Sequence, residues 1–244
     1  MTLPILSISG RTDVGLKRTK NEDSFSVKPE LRLCLVADGM GGAAAGELAS
    51  RIFADTAVEL FKKNLGCTEE NLPGLVHKCF MEANRRILQH TRQVPEHQGM
   101  GCTAELLAFC DTGFVLGHLG DSRTYRARAG NLKQLTRDHS LVQNMVDEGV
   151  LTPEEARNHT QRNVILKAVG IEKHLEIDLI KGKGRPGDIF LLCSDGLTDM
   201  VDDVLLGEVL SSDISLPRKV EGFIELAKLG GGSDNITVVL CQVR

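Results

Sequence analysis

The sequence contains no tryptophan and a single tyrosine among 244 residues. An aromatic stacking platform of the kind that holds single-stranded nucleic acid is therefore not expected. A basic excess is missing as well: the formal net charge is −4, whereas a nucleic-acid binder presents a basic face. No apolar run approaches the roughly 20 residues that span a bilayer. The opening segment MTLPILSISGRTDVG also lacks the basic and long apolar parts of a secretory signal. A cytoplasmic protein without membrane or nucleic-acid partners is expected. The seven cysteines are an odd number and form no CxxC pair. Cys34, Cys193 and Cys241 sit inside apolar runs, where a reduced thiol packs as a small hydrophobe. There is no Pro/Ser-rich linker, repeat or charge block, so one domain over 1–244 is expected. GxxxxGK[ST] and GxSxG are both missing, which argues against a P-loop nucleotide cradle and a serine-nucleophile elbow.

What is present is a run of short apolar segments of strand length. They lie at about 31–37, 103–110, 113–119, 122–128, 174–180, 188–193 and 236–243, with Ala129-Gly130-Asn131 as a hairpin turn after the fourth. Helical spacing predicts one helix over about 44–63, through Leu48, Ile52, Phe53, Ala57, Leu60 and Phe61. A second is predicted over about 70–92, through Leu75, Cys79, Phe80, Ala83 and Ile87. Shorter helices are predicted at 139–148, 152–158, 202–211 and 216–229. In the second of these, Thr152-Pro153-Glu154-Glu155 carries the signature of a capping box with proline at the first helical position. Two consecutive long helices followed mostly by strands argue for antiparallel sheets covered by helices, an α+β layered domain, and against a doubly wound parallel sheet.

In four segments an apolar strand is read as delivering an aspartate directly into a glycine or small-residue turn: Leu35-Val36-Ala37-Asp38-Gly39-Met40-Gly41-Gly42, His118-Leu119-Gly120-Asp121-Ser122-Arg123, Leu192-Cys193-Ser194-Asp195-Gly196 and Gly231-Gly232-Ser233-Asp234-Asn235. Asn21-Glu22-Asp23 is a fifth acidic site. Any one Asp-Gly is first of all a common turn dipeptide. Strand ends can bring distant residues together, however, and gathered aspartates repel unless a cation neutralises them. Oxygen donors without histidine or thiolate favour magnesium or manganese over zinc. Ordinary turns and a metal site both stay open on this pattern alone. Arg18, just upstream of Asp23, offers a planar fork suited to phosphate oxygens; Lys17 and Lys20 read as a solvated basic loop.

These segments in order, SGRTDVGLKRTKNEDSF (9–25), LVADGMGG (35–42), GCTAELLAF (101–109), GHLGDSRTYRARAGNLKQLTRDHSLV (117–142), LTPEEARNH (151–159), LLCSDGLTDMV (191–201) and GGSDNITVVL (231–240), resemble the PPM/PP2C family of metal-dependent protein phosphatases in its compact bacterial form. The resemblance implies a central sandwich of two antiparallel β-sheets flanked by helix pairs (α-β-β-α layers), with a flap at about 143–170. It implies two or three Mn²⁺ or Mg²⁺ ions. Asp38 resembles the carboxylate bridging two of them, the Gly39 carbonyl a further ligand, and Asp195 and Asp234 the ligands completing the pair. Asp121 resembles the ligand of a third ion, shared with Asp195. Asp23 resembles the acid behind the ligands that holds a water, and Arg18 the arginine that binds the substrate phosphate. His159 falls where some bacterial relatives have a flap histidine implicated in catalysis; a surface histidine at the end of a short helix is the other reading. His118 reads as a packed strand residue. Animal members carry histidine where this chain has Met40, so the proton donor is not given by the motif.

The resemblance implies hydrolysis of phosphoserine and phosphothreonine by direct attack of a water activated between two ions, without a phosphoenzyme. It implies phosphoprotein substrates, opposition to a serine/threonine kinase, and a monomer. A catalytically silent phosphoprotein-binding module and a hydrolase of small phosphate esters are the competing readings. The presence of Asp38, Asp195 and Asp234 argues against the first.

Overall fold

The computed structural model describes residues 6–41, 45–111 and 113–244. Gly42, which closes the Asp38 motif, residue 44 at the start of the first expected helix, and residues 1–5 of the opening segment lie outside the described residues.

Two five-stranded antiparallel sheets stack face to face. The first contains β1 (Leu6–Asp13), β8 (Arg123–Arg128), β9 (Asn131–Gln134), β11 (Ile189–Cys193) and β12 (Ile236–Val243), in the order β1-β12-β11-β8-β9. The second contains β2 (Ser24–Lys28), β3 (Leu33–Ala37), β6 (Ala104–Phe109), β7 (Phe114–Leu119) and β10 (Asp178–Gly182), in the order β10-β7-β6-β3-β2. A two-residue ladder joins β4 (Gly39–Met40) to β5 (Gly101–Cys102).

The alternation of side chains along each strand builds three cores. Leu107, Leu116, Phe190, Leu192 and Val239 point between the sheets. Leu35, Leu106 and Leu119 face outward from the second sheet and are covered by α1 (Gly46–Lys63) and α2 (Leu72–Gln93) through Phe53, Phe61 and Phe80. The rings of Phe53 and Phe80 meet edge to face at 4.9 Å, a favoured arrangement of aromatic quadrupoles. On the other outer face, Leu191, Val238 and Leu240 pack under Phe223 and Ile224 of α7 (Leu216–Leu229), with α5 (Asp195–Thr198) and α6 (Asp203–Ser211) beside it. The result is the expected α-β-β-α stack.

Between β9 and β10 the chain carries two short helices, α3 (Leu141–Asp147) and α4 (Pro153–Arg157). The latter has the complete capping box of Thr152 and Glu155. Ala129 and Gly130 both have positive φ (49° and 79°), the conformation that a tight hairpin between β8 and β9 requires. The seven cysteines are all unpaired.

The expected strand at 174–180 is displaced: β10 runs from Asp178 to Gly182 because it pairs with Phe114–His118 of β7, and residues 174–177 precede the ladder. β1, β2 and β9 are not among the strands read from the sequence. Together with β10 they are the edge strands of the two sheets, largely half-buried, so their apolar alternation is weak.

Candidate active site

The strand registers explain how aspartates remote in sequence meet. In the second sheet Ala37, ending β3, pairs with Ser24, opening β2, so Asp38 and Asp23 leave the sheet side by side. Leu119, ending β7, pairs with Ala104, opening β6, and Asp121 follows two residues later. In the first sheet Cys193, ending β11, faces both Val238 of β12 and Arg123 of β8. Asp195 therefore sits between Asp234 and Asp121. Asp13, ending β1, faces Ile236, which lays the 14–22 loop and Arg18 beside Asp234. One expectation needs correcting: Asp234 precedes a strand rather than following one. Antiparallel pairing puts the start of a strand beside the end of its neighbour, so both kinds of position reach the same rim.

Hydrogen bonds hold this rim in place. Arg18 Nη2 donates to Asp234 Oδ2 at 2.7 Å. The Asp38 amide donates to Thr103 Oγ1 at 3.0 Å, and the Thr103 amide returns to the Asp38 carbonyl at 2.9 Å. Asp23 Oδ2 accepts from Ser194 Oγ (2.8 Å) and Thr237 Oγ1 (2.6 Å). Asn235 pins the Arg18 loop: its Nδ2 donates to the carbonyls of Val14 and Lys20, and its Oδ1 accepts the Glu22 amide at 2.8 Å. Gly39 has no alternative at its position. A Cβ there would lie 2.2 Å from the Gly46 carbonyl oxygen and 2.4 Å from that of Glu22, so only glycine lets three backbone segments converge.

The electrostatics are those of crowded, desolvated carboxylates. Burial pushes the Asp38 carboxyl well above its usual range, reinforced by Asp23, Asp195, Asp121 and Asp234. Asp195 is raised in the same way, by burial and then by Asp121 and Asp199. Asp121 is pushed up to about 7 by burial and by Asp138. Asp23 is pushed up to about 6 by burial, against the pull of its two hydroxyl partners. Buried oxygens Asp23 Oδ1, Asp121 Oδ1 and Asp195 Oδ1 have no hydrogen-bond partner among the described residues. Such groups are costly unless a cation meets them. An all-oxygen donor set with unsatisfied lone pairs suits a hard divalent ion.

The structure thus gathers Asp23, Asp38, Gly39, Asp121, Asp195, Asp234 and Arg18 on one rim. His159 stands apart, after α4, with its Nδ1 accepting the Gln161 amide at 3.2 Å. A cavity of about 500 Å³ opens from Asp121 and Asp195 toward α4 and α6, and its lining includes Asn158, Arg162 and Asn163 but not His159. Three acids of the site escape a reading of the sequence. Asp199 perturbs Asp195 and Asp121 and is held by Arg162 at 3.4 Å. Its spacing of four from Asp195 on a helix is the available signal. Asp138 receives Arg123 through both of its oxygens, at 2.7–3.0 Å, and Glu105 lies fully buried below; neither shows a sequence signature. His118, His139 and Asp178 also bring possible ligand atoms together. Both His118 nitrogens are engaged, by Glu105 and the Arg137 carbonyl, so we assign no ion there.

A family model described as Protein phosphatase 2C matches residues 17–214. The chain is 40% identical over 242 residues to the serine/threonine protein phosphatase PstP of Mycobacterium tuberculosis, covering 98% of this chain and 45% of that protein, so it spans less than half of that relative's length. It is 36% identical to the serine/threonine phosphatase stp of Listeria monocytogenes, covering 95% of this chain and 94% of the relative. The crystal structure of the PstP catalytic domain in complex with two manganese ions superposes with a TM-score of 0.90 at 38% identity, covering 98% of this chain and 99% of that one. With the family model covering most of its length and relatives of this similarity along nearly all of it, the chain belongs to the protein phosphatase 2C family.

Proposed function

We propose that this chain hydrolyses phosphoserine and phosphothreonine in proteins, using two or three Mn²⁺ or Mg²⁺ ions held by Asp38, the Gly39 carbonyl, Asp121, Asp195 and Asp234. One observation carries the reading: buried carboxylate oxygens without a hydrogen-bond partner converge on a rim that also presents an arginine. A divalent cation bound there supplies Lewis acidity, which lowers the pKa of water and draws charge from phosphoryl oxygens.

The protein's own groups divide the remaining work. Arg18, with its side chain about half exposed, presents a guanidinium that can bind phosphoryl oxygens while staying tethered to Asp234. Asp23 has one oxygen committed to Ser194 and Thr237. Its other oxygen, buried and without a hydrogen-bond partner among the described residues, is the acceptor proposed to hold a water at the site. Cys102, paired with Gly39, is raised by burial, which makes it a poor thiolate and argues against a covalent phosphocysteine route. A water at the ion site and His159 are the two proposed donors to the leaving seryl or threonyl oxygen. His159 stands apart from the rim and would have to approach it, and because its Nδ1 accepts a backbone N–H, the proton it gives would leave from Nε2.

Residues 143–170 are read as a flap within a single domain. They contribute Val146, Arg157 and Arg162 to one wall of the cavity, and the ion pairs Arg162–Asp199 (3.4 Å) and Arg157–Asp203 (3.8 Å) face across it. Phosphoprotein substrates that include a serine/threonine kinase, a monomeric state and a cytoplasmic location complete the proposal. Among the described residues no helix is long and apolar enough to cross a membrane.

The test is hydrolysis of phosphoserine, phosphothreonine and phosphotyrosine peptides with Mn²⁺, with Mg²⁺ and with chelator. Metal-dependent release from the first two is expected. Preference for tyrosine, or full activity in chelator, would overturn the reading.

A further inference from the structure

Beneath the carboxylate rim, the space between the two sheets is closed by a polar plug. Glu105 of β6, His118 of β7 and Thr124 of β8 are each fully buried, and all three share the inner face that Leu107, Leu116 and Leu192 line further down. Glu105 Oε1 is bonded to His118 Nδ1, and its Oε2 accepts from Thr124 Oγ1 at 2.5 Å. His118 Nε2 donates to the Arg137 carbonyl at 2.8 Å. A carbonyl can only accept, so Nε2 carries a proton, and the short contact on the other side shares a second proton between Nδ1 and the Glu105 carboxyl. A buried ion pair of this kind contributes little net stability compared with apolar side chains of the same volume. A role in holding position accounts for such a pair better than net stability does.

The positions supply one. His118 lies three residues before Asp121, and Thr124 three residues after it. Between them the chain crosses from the second sheet to the first, with Asp121 at the crossing. Glu105 therefore grips both ends of the crossing with its two oxygens. Two further contacts act on the same turn: His139, stacked on His118 at 4.7 Å, accepts the Gly120 amide at 3.2 Å, and Ser122 Oγ lies 2.7 Å from Thr103 Oγ1, the hydroxyl that also receives the Asp38 amide. Asp121 itself is buried with Oδ1 unpartnered. Its aim is set by this scaffold rather than by a bond of its own at that oxygen.

We infer that Glu105 is a positioning residue: by bridging His118 and Thr124 it holds Asp121 in register with Asp38 and Asp195, and so governs the ion site in which Asp121 takes part. The inference rests on the phosphatase reading for its rate prediction but not for its metal-binding prediction. Supporting contacts behind metal ligands typically govern affinity by about 10–100-fold.

The experiment compares Glu105→Met, which keeps the volume and removes both grips, Thr124→Val, which removes one, and Glu105→Gln, which keeps the reach. Phosphopeptide hydrolysis and Mn²⁺ calorimetry are read for each, with and without Asp121→Ala. Glu105→Met is expected to lower kcat about ten-fold with KM little changed, and to weaken the weakest Mn²⁺ site about ten-fold. Thr124→Val should do so less, and Glu105→Gln should recover most of both. In the Asp121→Ala background these changes should add nothing, because their route runs through Asp121. Unchanged kcat and Mn²⁺ binding in folded Glu105→Met and Thr124→Val, or losses that add to that of Asp121→Ala, would overturn the inference. If Glu105→Met fails to fold, Thr124→Val decides the matter by the same two measurements: no loss in either overturns the inference. Wild-type protein inactive on every phosphopeptide would count against the phosphatase reading alone, and calorimetry would then decide the role of Glu105.

Discussion

Arg18 Nη2 donates to Asp234 Oδ2 at 2.7 Å, a contact between residues 216 positions apart. It joins the group proposed to bind phosphate to a group proposed to bind metal, so substrate and ion sites share one edge. Replacing Arg18 by alanine removes the fork while leaving the carboxylates in place. KM for a phosphopeptide is expected to rise about ten-fold or more, with a smaller change in kcat, given that charged hydrogen bonds contribute about 1.5–3 kcal/mol. Arg18→Lys should recover only part of the loss, since lysine cannot bind two oxygens in a plane. Steady-state kinetics at saturating Mn²⁺ check this.

Asp38 and Asp195 are both driven above their usual range by burial and by their acidic neighbours. Asp38→Asn should therefore raise the melting temperature measured in chelator while lowering phosphopeptide hydrolysis at least about a hundred-fold. In the wild type, Mn²⁺ at a hundred times its Kd should add about 2.7 kcal/mol of stability. That increment should shrink in the variant. Full activity of Asp38→Asn would remove it from the ion site.

His159 is proposed to protonate a poor leaving group. His159→Gln should slow phosphoserine peptide hydrolysis by about a hundred-fold, the scale of general acid catalysis. Turnover of p-nitrophenyl phosphate, whose leaving group needs no proton, should hardly change. Equal losses on both substrates would make His159 a structural residue.

The Glu105–His118 pair has a pH signature. Burial alone would lower the His118 pKa, but Glu105 overrides it and holds the ring at about 9, against 6.5 for the free group. A raised histidine pKa stabilises the fold fully below pH 6.5 and loses that contribution as pH rises through 9, because the folded state then gives up a proton the unfolded chain has already lost. Urea denaturation should show stability falling between those values, by on the order of 3 kcal/mol at most. The decline should be absent in His118→Gln.

Phe80 is fully buried in the core beneath α2 and sits edge-on to Phe53. Phe80→Ala should cost about 3–5 kcal/mol in equilibrium unfolding. Since the site lies at the sheet rim rather than in this outer core, specific activity of the folded fraction should be preserved at low temperature.

The elements most legible in the sequence are those whose burial is one-sided and strong. The positions Leu75, Cys79, Phe80, Ala83 and Ile87 predict α2, and all five are buried. The apolar runs of β3, β6, β7, β11 and β12 are buried almost along their whole lengths. The edge strands β1 and β2 are hard to read because a strand paired on one side only has half-buried residues and a diluted pattern. The acids in Asp-Gly or Asp-Asn turns stand out because their local chemistry is unusual. Asp138 and Asp199 have no glycine or asparagine beside them and do not.

Local chemistry in the sequence was enough to determine the layers, the long helices and a set of aspartates whose company with glycine sets them apart. Periodicity and turn preference act between residues a few positions apart, and so they can be read along the chain. Which of those aspartates meet, that Asp234 arrives from the start of a strand, that His159 stands away from the rim, and that Glu105 grips the turn carrying Asp121 were decided only by strand register and sheet stacking. Those depend on pairings across a hundred or more residues, and an acid buried among aliphatic neighbours carries no local mark of the partners that folding brings to it.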